Sequence, residues 1–298
     1  MISMSRTLGA TGIEVGPMGW GMWRLAGHTI ADATDCSLAA IDASCTLFDT
    51  ADVYGYGSPD GFGAAEELLG LVFVANPGLR ARIVLASKAG VMPPVPYDSS
   101  PQYLVAACEA SLRRLRTDRL DLFQIHRPDL QAHPAEVAAT LERLVTAGKI
   151  RAAGVSNYTA AQTRALLAHL PIPLASIQPE FSALVTHALD DGTLDLALEQ
   201  RLGVLAWSPL AQGRLAGIAD NLAAERVIAA MDDIARELGT TRVAVAYAWV
   251  MQHPAQPIPL IGSTRPVHIR TAAAAAGLRL EREQWYRVLV ASRGAAMP

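Results

Sequence analysis

Eight short apolar runs alternate with helical stretches along this chain, and that alternation limits the fold more than any other feature. The runs are GPMGWGMW, TLFDT, RIVLASK, DLFQIH, IRAAGVS, ASIQP, GVLAWS and IPLIG. The stretches between them carry helical spacing. In PAEVAATLERLVTAG, Val137, Leu141, Leu144 and Val145 fall at i, i+4, i+7 and i+8, one apolar face of a helix, and Gly148 supplies a C-cap. Strand followed by helix, repeated, argues for a parallel sheet. Eight such units in 298 residues suit an α/β (β/α)8 TIM barrel. A doubly wound sheet is the structural alternative, but it calls for GxGxxG directly after the first strand, and GWGMWRLAG is not that motif. RTLGATGIEVG reads as a short N-terminal β-hairpin turning between Gly9 and Gly12. Further helices begin near Arg265 and near Glu281, the second a C-terminal helix. No linker, repeat or low-complexity boundary interrupts the pattern, so residues 1–298 are expected to form a single domain.

Composition removes several function classes. Hydrophobic residues make up 51% and charged residues 18%, the balance of a core-rich globular chain. With 28 acidic against 25 basic residues, nothing favours a nucleic-acid or membrane partner. Cys36, Cys45 and Cys108 are scattered and outside any CxxC, and HExxH is absent, so neither a disulfide framework nor a metal site is expected. The opening MISMSRTLGATG has no apolar core of a signal peptide, and no run of 18 apolar residues occurs. A cytoplasmic protein is the expectation. Only Lys88 and Lys149 among the basic residues are lysines, which draws attention to both.

In a TIM barrel the chemistry sits at the C-terminal ends of the strands. There the sequence places Asp49 and Tyr54 (in FDTADVYG), Lys88, His126, Ser156 and Asn157, Gln178, Trp207 and Ser208, and Gly262 and Ser263. Asp, Tyr, Lys and His on neighbouring strands have a physical logic. A phenol titrates near ~10 in water and is a poor acid at neutral pH. A nearby ammonium favours the phenolate, a carboxylate holds the ammonium, and a histidine hydrogen-bonds the substrate oxygen. Each residue also has a plainer role: Asp49 as a turn cap, Tyr54 as a packing tyrosine, Lys88 as a solvated strand end, His126 as a core histidine. All four at corresponding ends of three successive strands favour the chemical role.

FDTADVYG, ASKAG, IHRPD, GVSNY, IQPEFS and WSPLAQGRL, in this order and spacing, resemble the aldo-keto reductase superfamily over nearly the whole chain. SIQPEFS through DDGTLDLALEQ and the tail from LIGSTRPVHIR to EREQWYRV are similar to a bacterial oxidoreductase branch of YdhF type. The resemblance implies a barrel that binds NAD(P)H and moves a hydride between the nicotinamide and the carbonyl or alcohol carbon of a small aldehyde, ketone or sugar-like substrate. It implies a catalytic tetrad of Asp49, Tyr54, Lys88 and His126, with Tyr54 as acid in reduction and base in oxidation and Lys88 lowering its pKa. Ser156, Asn157 and Gln178 match the contacts to the nicotinamide carboxamide, and Trp207 the ring stacked on it. Ser208, Leu210 and Gly213 match the pyrophosphate loop. Met22, Gly262, Ser263, Thr264, Arg265 and His268 complete the implied cofactor set, the last four around the 2′-phosphate of NADP(H), so NADP(H) is preferred and NAD(H) possible. Trp23 matches a substrate-side position and, with Tyr56 and Trp20, is expected to wall an apolar pocket; for Trp20, core packing is the alternative. The proline-rich segment 91–100 is a candidate loop over the site. One departure is visible: where the family has an acidic residue followed by Asn beside the adenine, this chain has Thr271 and Ala272.

Two other readings compete. A nucleotide-holding regulatory protein with slow turnover would keep the fold and lose the chemistry. A barrel of a different class, such as a phosphate-ligand isomerase, would not bind NADPH. The sequence fixes neither the substrate, the in vivo direction nor the oligomeric state.

Overall fold

The computed structural model describes residues 5–297. The chain opens with an antiparallel hairpin, β1 (Arg6–Thr7) and β2 (Glu14–Val15), closed by Leu8 N–H donating to Ile13 O at 2.9 Å. Gly9 and Gly12 take the left-handed conformation in its turn, φ 57° and 71°. Eight parallel strands follow: β3 (Gly19–Gly21), β4 (Leu47–Asp49), β5 (Val84–Ala89), β6 (Leu120–Ile125), β7 (Ile150–Ser156), β8 (Leu174–Gln178), β9 (Gly203–Ala206) and β10 (Ile258–Ile261). They close in chain order into a barrel, with β10 paired to both β3 and β9. The hairpin, the (β/α)8 barrel and the C-terminal helix expected from the sequence are all present.

The helices are α1 (Ile30–Asp42), α2 (Ala64–Ala75), α3 (Pro101–Arg114), α4 (Pro134–Thr146), α5 (Ala160–Leu167), α6 (Thr193–Glu199), α7 (Leu222–Glu237), α8 (Arg242–Met251), α9 (Pro266–Ala273) and α10 (Arg282–Arg293). Local chemistry sets their ends. Thr29 with Asp32 and Thr159 with Gln162 form capping boxes, and Ser100 caps α3 ahead of Pro101. In α4 the periodic residues Val137, Leu141 and Leu144 are buried against the barrel, while Val145 is only half-buried. The C-terminal helix is pinned by two stacked indoles, Trp249 and Trp285, 5.1 Å apart; each indole N–H donates to the other's main-chain carbonyl at 3.0 Å. No described helix is long and apolar enough to cross a membrane. The three cysteines are buried and free.

Strand side chains alternate with period two, so every second residue faces the barrel lumen. At the N-terminal end the lumen is apolar. Leu47, Ala86, Leu122, Leu205, Ile258 and Leu260 pack there with Leu8, Ile13 and Val15 of the hairpin, which plugs the floor. Two residues further along, the same faces carry Asp49, Lys88 and Gln124. A register shift between β7 and β8, where Ala153 pairs Leu174 but Gly154 pairs Ser176, turns Ser176 and Gln178 toward the same layer. Gly154 makes room for them, since a Cβ there would lie 2.3 Å from Ser176 Oγ.

Candidate active site

The polar layer is one connected network. Lys88 Nζ donates to Asp49 Oδ2 at 2.6 Å and to Thr50 O at 2.8 Å. The other Asp49 oxygen accepts from Gln124 Nε2 at 3.2 Å and from Gln178 Nε2 at 3.1 Å. Gln178 on β8 can reach Asp49 on β4 only through the lumen, so the pair is held from four strands. Asp49 is 2% exposed and Lys88 1%. An unpaired charge there would be very costly, and the ion pair with its hydrogen bonds removes that cost.

Tyr54 lies above this pair. Lys88 Nζ is 5.0 Å from the Tyr54 ring centroid. The His126 ring meets Tyr54 edge to face at 5.8 Å, and the Trp23 ring does so at 5.1 Å. The turn bearing Tyr54 is fixed by Asp52 N–H donating to Lys88 O at 2.9 Å and Ala65 N–H donating to Tyr54 O at 3.3 Å. The tetrad residues expected from the sequence are therefore brought together at one mouth of the barrel.

The electrostatics differ in one respect from the expectation for Tyr54. Lys88 does pull the phenol pKa down, but burial pushes it up more strongly and the Asp49 carboxylate opposes Lys88, so the net direction is upward. Burial works to lower the Lys88 pKa, yet Asp49 and Tyr54 raise it, and the ammonium is retained. Burial, then the positive charges of Lys88 and Arg127, hold His126 well below the usual histidine range, so its ring is neutral. Its Nδ1 is buried without a hydrogen-bond partner among the described residues.

The next strand ends form a second connected set. Ser156 Oγ donates to Gln178 O at 3.0 Å. Asn157, at φ 58°, donates to His126 O and to Ser156 Oγ, both at 3.0 Å, and its Oδ1 accepts the Trp207 indole N–H at 3.0 Å. Trp207 is half-buried at the mouth. Beyond it, Ser208, Ala211, Gln212 and Gly213 all have positive φ, in a compact loop closed by Ala211 N–H to Ser208 O at 2.7 Å. Leu210 is partly buried under this loop. After β10, half-buried Gly262, Ser263 and Thr264 lead into α9, with Arg265 as its N-cap and no side chain capping it. Arg265 and His268 are exposed.

Two expected site residues lie elsewhere. Trp20 does not wall the pocket: it is fully buried, edge to face on Phe48 at 5.1 Å, and donates its indole N–H to Ser263 O at 3.0 Å. Met22 is also fully buried among the core side chains, and its N–H donates to Asp49 O at 2.9 Å, so its side chain offers no surface to a cofactor. Trp23 at 61% exposed and Tyr56 at 57% do face the solvent. The 91–100 segment is tethered: Asp98 N–H donates to Gly90 O at 3.1 Å and Ser99 N–H to Asp129 Oδ2 at 2.8 Å. At the end of α9, Thr271 Oγ1 donates to Val267 O at 2.8 Å and Ala272 is buried, so no carboxylate stands there. The sequence reading missed Gln124; the signal was a polar residue at a lumen-facing position of β6, two positions before His126. It also missed a layer beneath the Tyr54 turn in which buried Asp52 and Glu66 meet the half-buried Tyr103.

Comparison with known proteins agrees with this geometry. Residues 17–290 match the aldo/keto reductase family. The chain is 48% identical over 296 residues to 6-dehydroglucose reductase of Novosphingobium aromaticivorans, covering 98% of this chain and 97% of that one. It is 35% identical to oxidoreductase YdhF of Escherichia coli, over 98% of both chains. The structure of an aldo/keto reductase from Klebsiella pneumoniae in complex with NADP and acetate superposes with a TM-score of 0.80 at 28% identity, covering 96% of this chain and 94% of that one. The family match excludes the phosphate-ligand isomerase reading and supports nicotinamide-dependent carbonyl reduction. This chain belongs to the aldo/keto reductase family.

Proposed function

We propose that this protein is an NADPH-dependent reductase of small carbonyl compounds, acting in the cytoplasm on a sugar aldehyde or ketone, with NAD(H) as a weaker alternative cofactor. The observation that carries the reading is the buried Lys88–Asp49 pair, 2.6 Å apart, beneath Tyr54 and beside a neutral His126.

The residues at the mouth suit a dinucleotide. Gln178 Oε1 has no donor among the described residues, which leaves an acceptor for an amide N–H beside Ser156 and Asn157. Gly213 takes φ 101° with nothing within 4 Å of a Cβ position, an open cradle of backbone. The uncapped N-terminus of α9 beside Ser263, Thr264 and Arg265 suits a phosphate. Asp32 and Asp35 line a cavity of about 240 Å³ with His28, Thr264 and Pro266. Their charge opposes a 2′-phosphate and keeps the preference for NADPH modest.

When bound, the nicotinamide supplies the hydride. The rest falls to this chain. The neutral His126 ring has one N–H, which donates to the carbonyl oxygen and fixes its position. The raised pKa keeps Tyr54 protonated at neutral pH, and its hydroxyl gives a proton to that oxygen once it becomes basic. Lys88 stabilises the phenolate that remains, strongly because the site is dry, and Asp49 keeps Lys88 charged and placed. In oxidation Tyr54 takes the proton back. Exposed faces of Trp23 and Tyr56 flank the mouth and suit the C–H face of a sugar ring. The substrate class follows from those faces together with the 48%-identical 6-dehydroglucose reductase.

The test is NADPH consumption against aldehydes, ketones, quinones and sugars, with 6-dehydroglucose included. The highest kcat/KM is expected on a sugar carbonyl. Tight NADPH binding with no turnover of any carbonyl would instead make the chain a nucleotide-holding protein.

A further inference from the structure

The Tyr54 turn rests on a buried layer that the reaction described above does not use. Asp52, Glu66 and Ser87 have no exposed surface. Glu66 on α2 is matched by Arg114 on α3, with Arg114 Nε donating to Glu66 Oε2 at 2.8 Å, and it also accepts from Ser87. Asp49 is matched by Lys88. Asp52 forms no ion pair among the described residues, although Arg114 lies near enough to favour its charge. Its Oδ2 accepts from Tyr103 OH of α3 at 3.1 Å, the Val53 N–H lies close to the carboxylate, and its Oδ1 is buried with no well-formed hydrogen bond among the described residues.

An ionised carboxylate with one orphaned oxygen and no paired cation is among the most costly groups a core can hold. A neutral acid in the same place is tolerable, because its proton can lie on Oδ2 toward the Tyr103 oxygen and leave Oδ1 as a carbonyl oxygen. Position adds the consequence. Asp52 is two residues from Tyr54, and its N–H donates to the carbonyl of Lys88 at 2.9 Å. The groups around it are Glu66 from α2, Tyr103 and Arg114 from α3, Asp98 beyond Tyr103, Lys88 from β5, Asp49 from β4, and Tyr54 on its own turn.

We infer that Asp52 is a positioning residue kept as a neutral carboxylic acid, which holds the Tyr54 turn through Tyr103 and spares the phenol a second buried negative charge. Ionised, it would oppose Lys88 and make Tyr54 a weaker acid. Burial, then the Glu66 carboxylate, push the Asp52 pKa up to about 8, so the change falls within a measurable range. This rests on Tyr54 being the proton donor.

Two readouts test it, one independent of catalysis. A carboxyl whose folded pKa is raised binds a proton in the native state that the unfolded chain has released. Stability therefore falls as pH rises from the ordinary carboxylate range, about 4, to about 8. Urea denaturation across that range is expected to show this slope in wild type and a clearly smaller one in Asp52→Asn. In the kcat profile for reduction, wild type should lose rate as pH rises past the Asp52 ionisation, because the new carboxylate charge makes Tyr54 a weaker acid. Asp52→Asn should lack that limb, and Glu66→Gln should move it to lower pH. Tyr54→Phe serves as control: if it keeps wild-type turnover, the proton-donor reading fails, and the urea slope alone decides whether Asp52 is neutral. An unchanged slope in Asp52→Asn, or a wild-type limb that persists in it, overturns the inference. If Asp52→Asn does not fold, an unmoved limb in Glu66→Gln overturns it, and a limb moved to lower pH supports it.

Discussion

The two ends of the barrel are built from the same strands and do opposite things. At the floor, Leu47, Ala86 and Leu122 meet the hairpin residues Leu8, Ile13 and Val15 in an apolar plug. Two residues along β4, β5 and β6, those positions become Asp49, Lys88 and Gln124, tied by hydrogen bonds across the lumen. Positive φ at non-glycine residues occurs at both ends, at Asn157, Ser208, Ala211 and Gln212 at the mouth and at Ser44, Arg116, Arg201 and Gln256 in the turns that lead into β4, β6, β9 and β10 at the floor. The floor thus supplies apolar burial, and the mouth supplies polar groups oriented by the strands that end there. Substitutions at the floor should act on stability alone, whereas those at the mouth act on turnover and, where they break the buried ion pair, on stability as well.

The largest effect is expected at the mouth. Tyr54→Phe should lower turnover by roughly 10²–10⁴-fold, the value of general acid catalysis, while leaving stability and NADPH binding close to wild type. Steady-state rates with equilibrium fluorescence titration check both halves, and a rate within a factor of a few of wild type would sink the assignment. Lys88→Met touches both properties. Removing one partner of the buried pair leaves Asp49 unmatched and should cost about 3–5 kcal/mol of stability. It also removes the charge that pulls the Tyr54 pKa down, so the inflection in the pH–rate profile should move to higher pH. A lower rate with an unmoved inflection would reduce Lys88 to a scaffold residue. Leu122→Ala is the counterpart at the floor: a loss of about 2–5 kcal/mol in urea denaturation, with kcat nearly unchanged in the fraction that is folded. A collapse of kcat in folded protein would show that the two ends are not independent. The smallest effect belongs to Arg265→Ala, expected to narrow the NADPH over NADH preference by about tenfold, near the ~1.4 kcal/mol of one polar contact. Equal affinities for the two cofactors in wild type would remove the 2′-phosphate role altogether.

What was legible in the sequence follows the same division. The barrel was readable because each strand is a short apolar run bounded by residues of helical period, and because Asp49, Lys88 and His126 each follow such a run directly. Trp20 was less readable than Trp23. Both flank the end of one strand, and only the alternation of faces sends Trp20 into the core and leaves Trp23 at the mouth. The network beneath Tyr54 left little local trace. Gln178 and Asp49 are 129 residues apart, and Tyr103 and Asp52 are 51 apart. Nothing near Asp52 in FDTADVYG marks it as a buried acid without a paired cation, because that state depends on which helices later cover it. The raised Tyr54 pKa was hidden for the same reason: Lys88 was visible as a neighbour, whereas the burial that outweighs it exists only in the folded chain.

Hydride delivery to a carbonyl carbon at this mouth is tested most directly by isotope transfer. The purified protein is mixed with NADPH deuterated at the transferable position of the nicotinamide and with 6-dehydroglucose, and the product is examined by mass spectrometry. The expected product carries one deuterium on the carbon that was the carbonyl, formed by wild type and nearly absent with Tyr54→Phe. Deuterated cofactor that binds but leaves no label in 6-dehydroglucose or in any other carbonyl of the panel would contradict a reductase at this site.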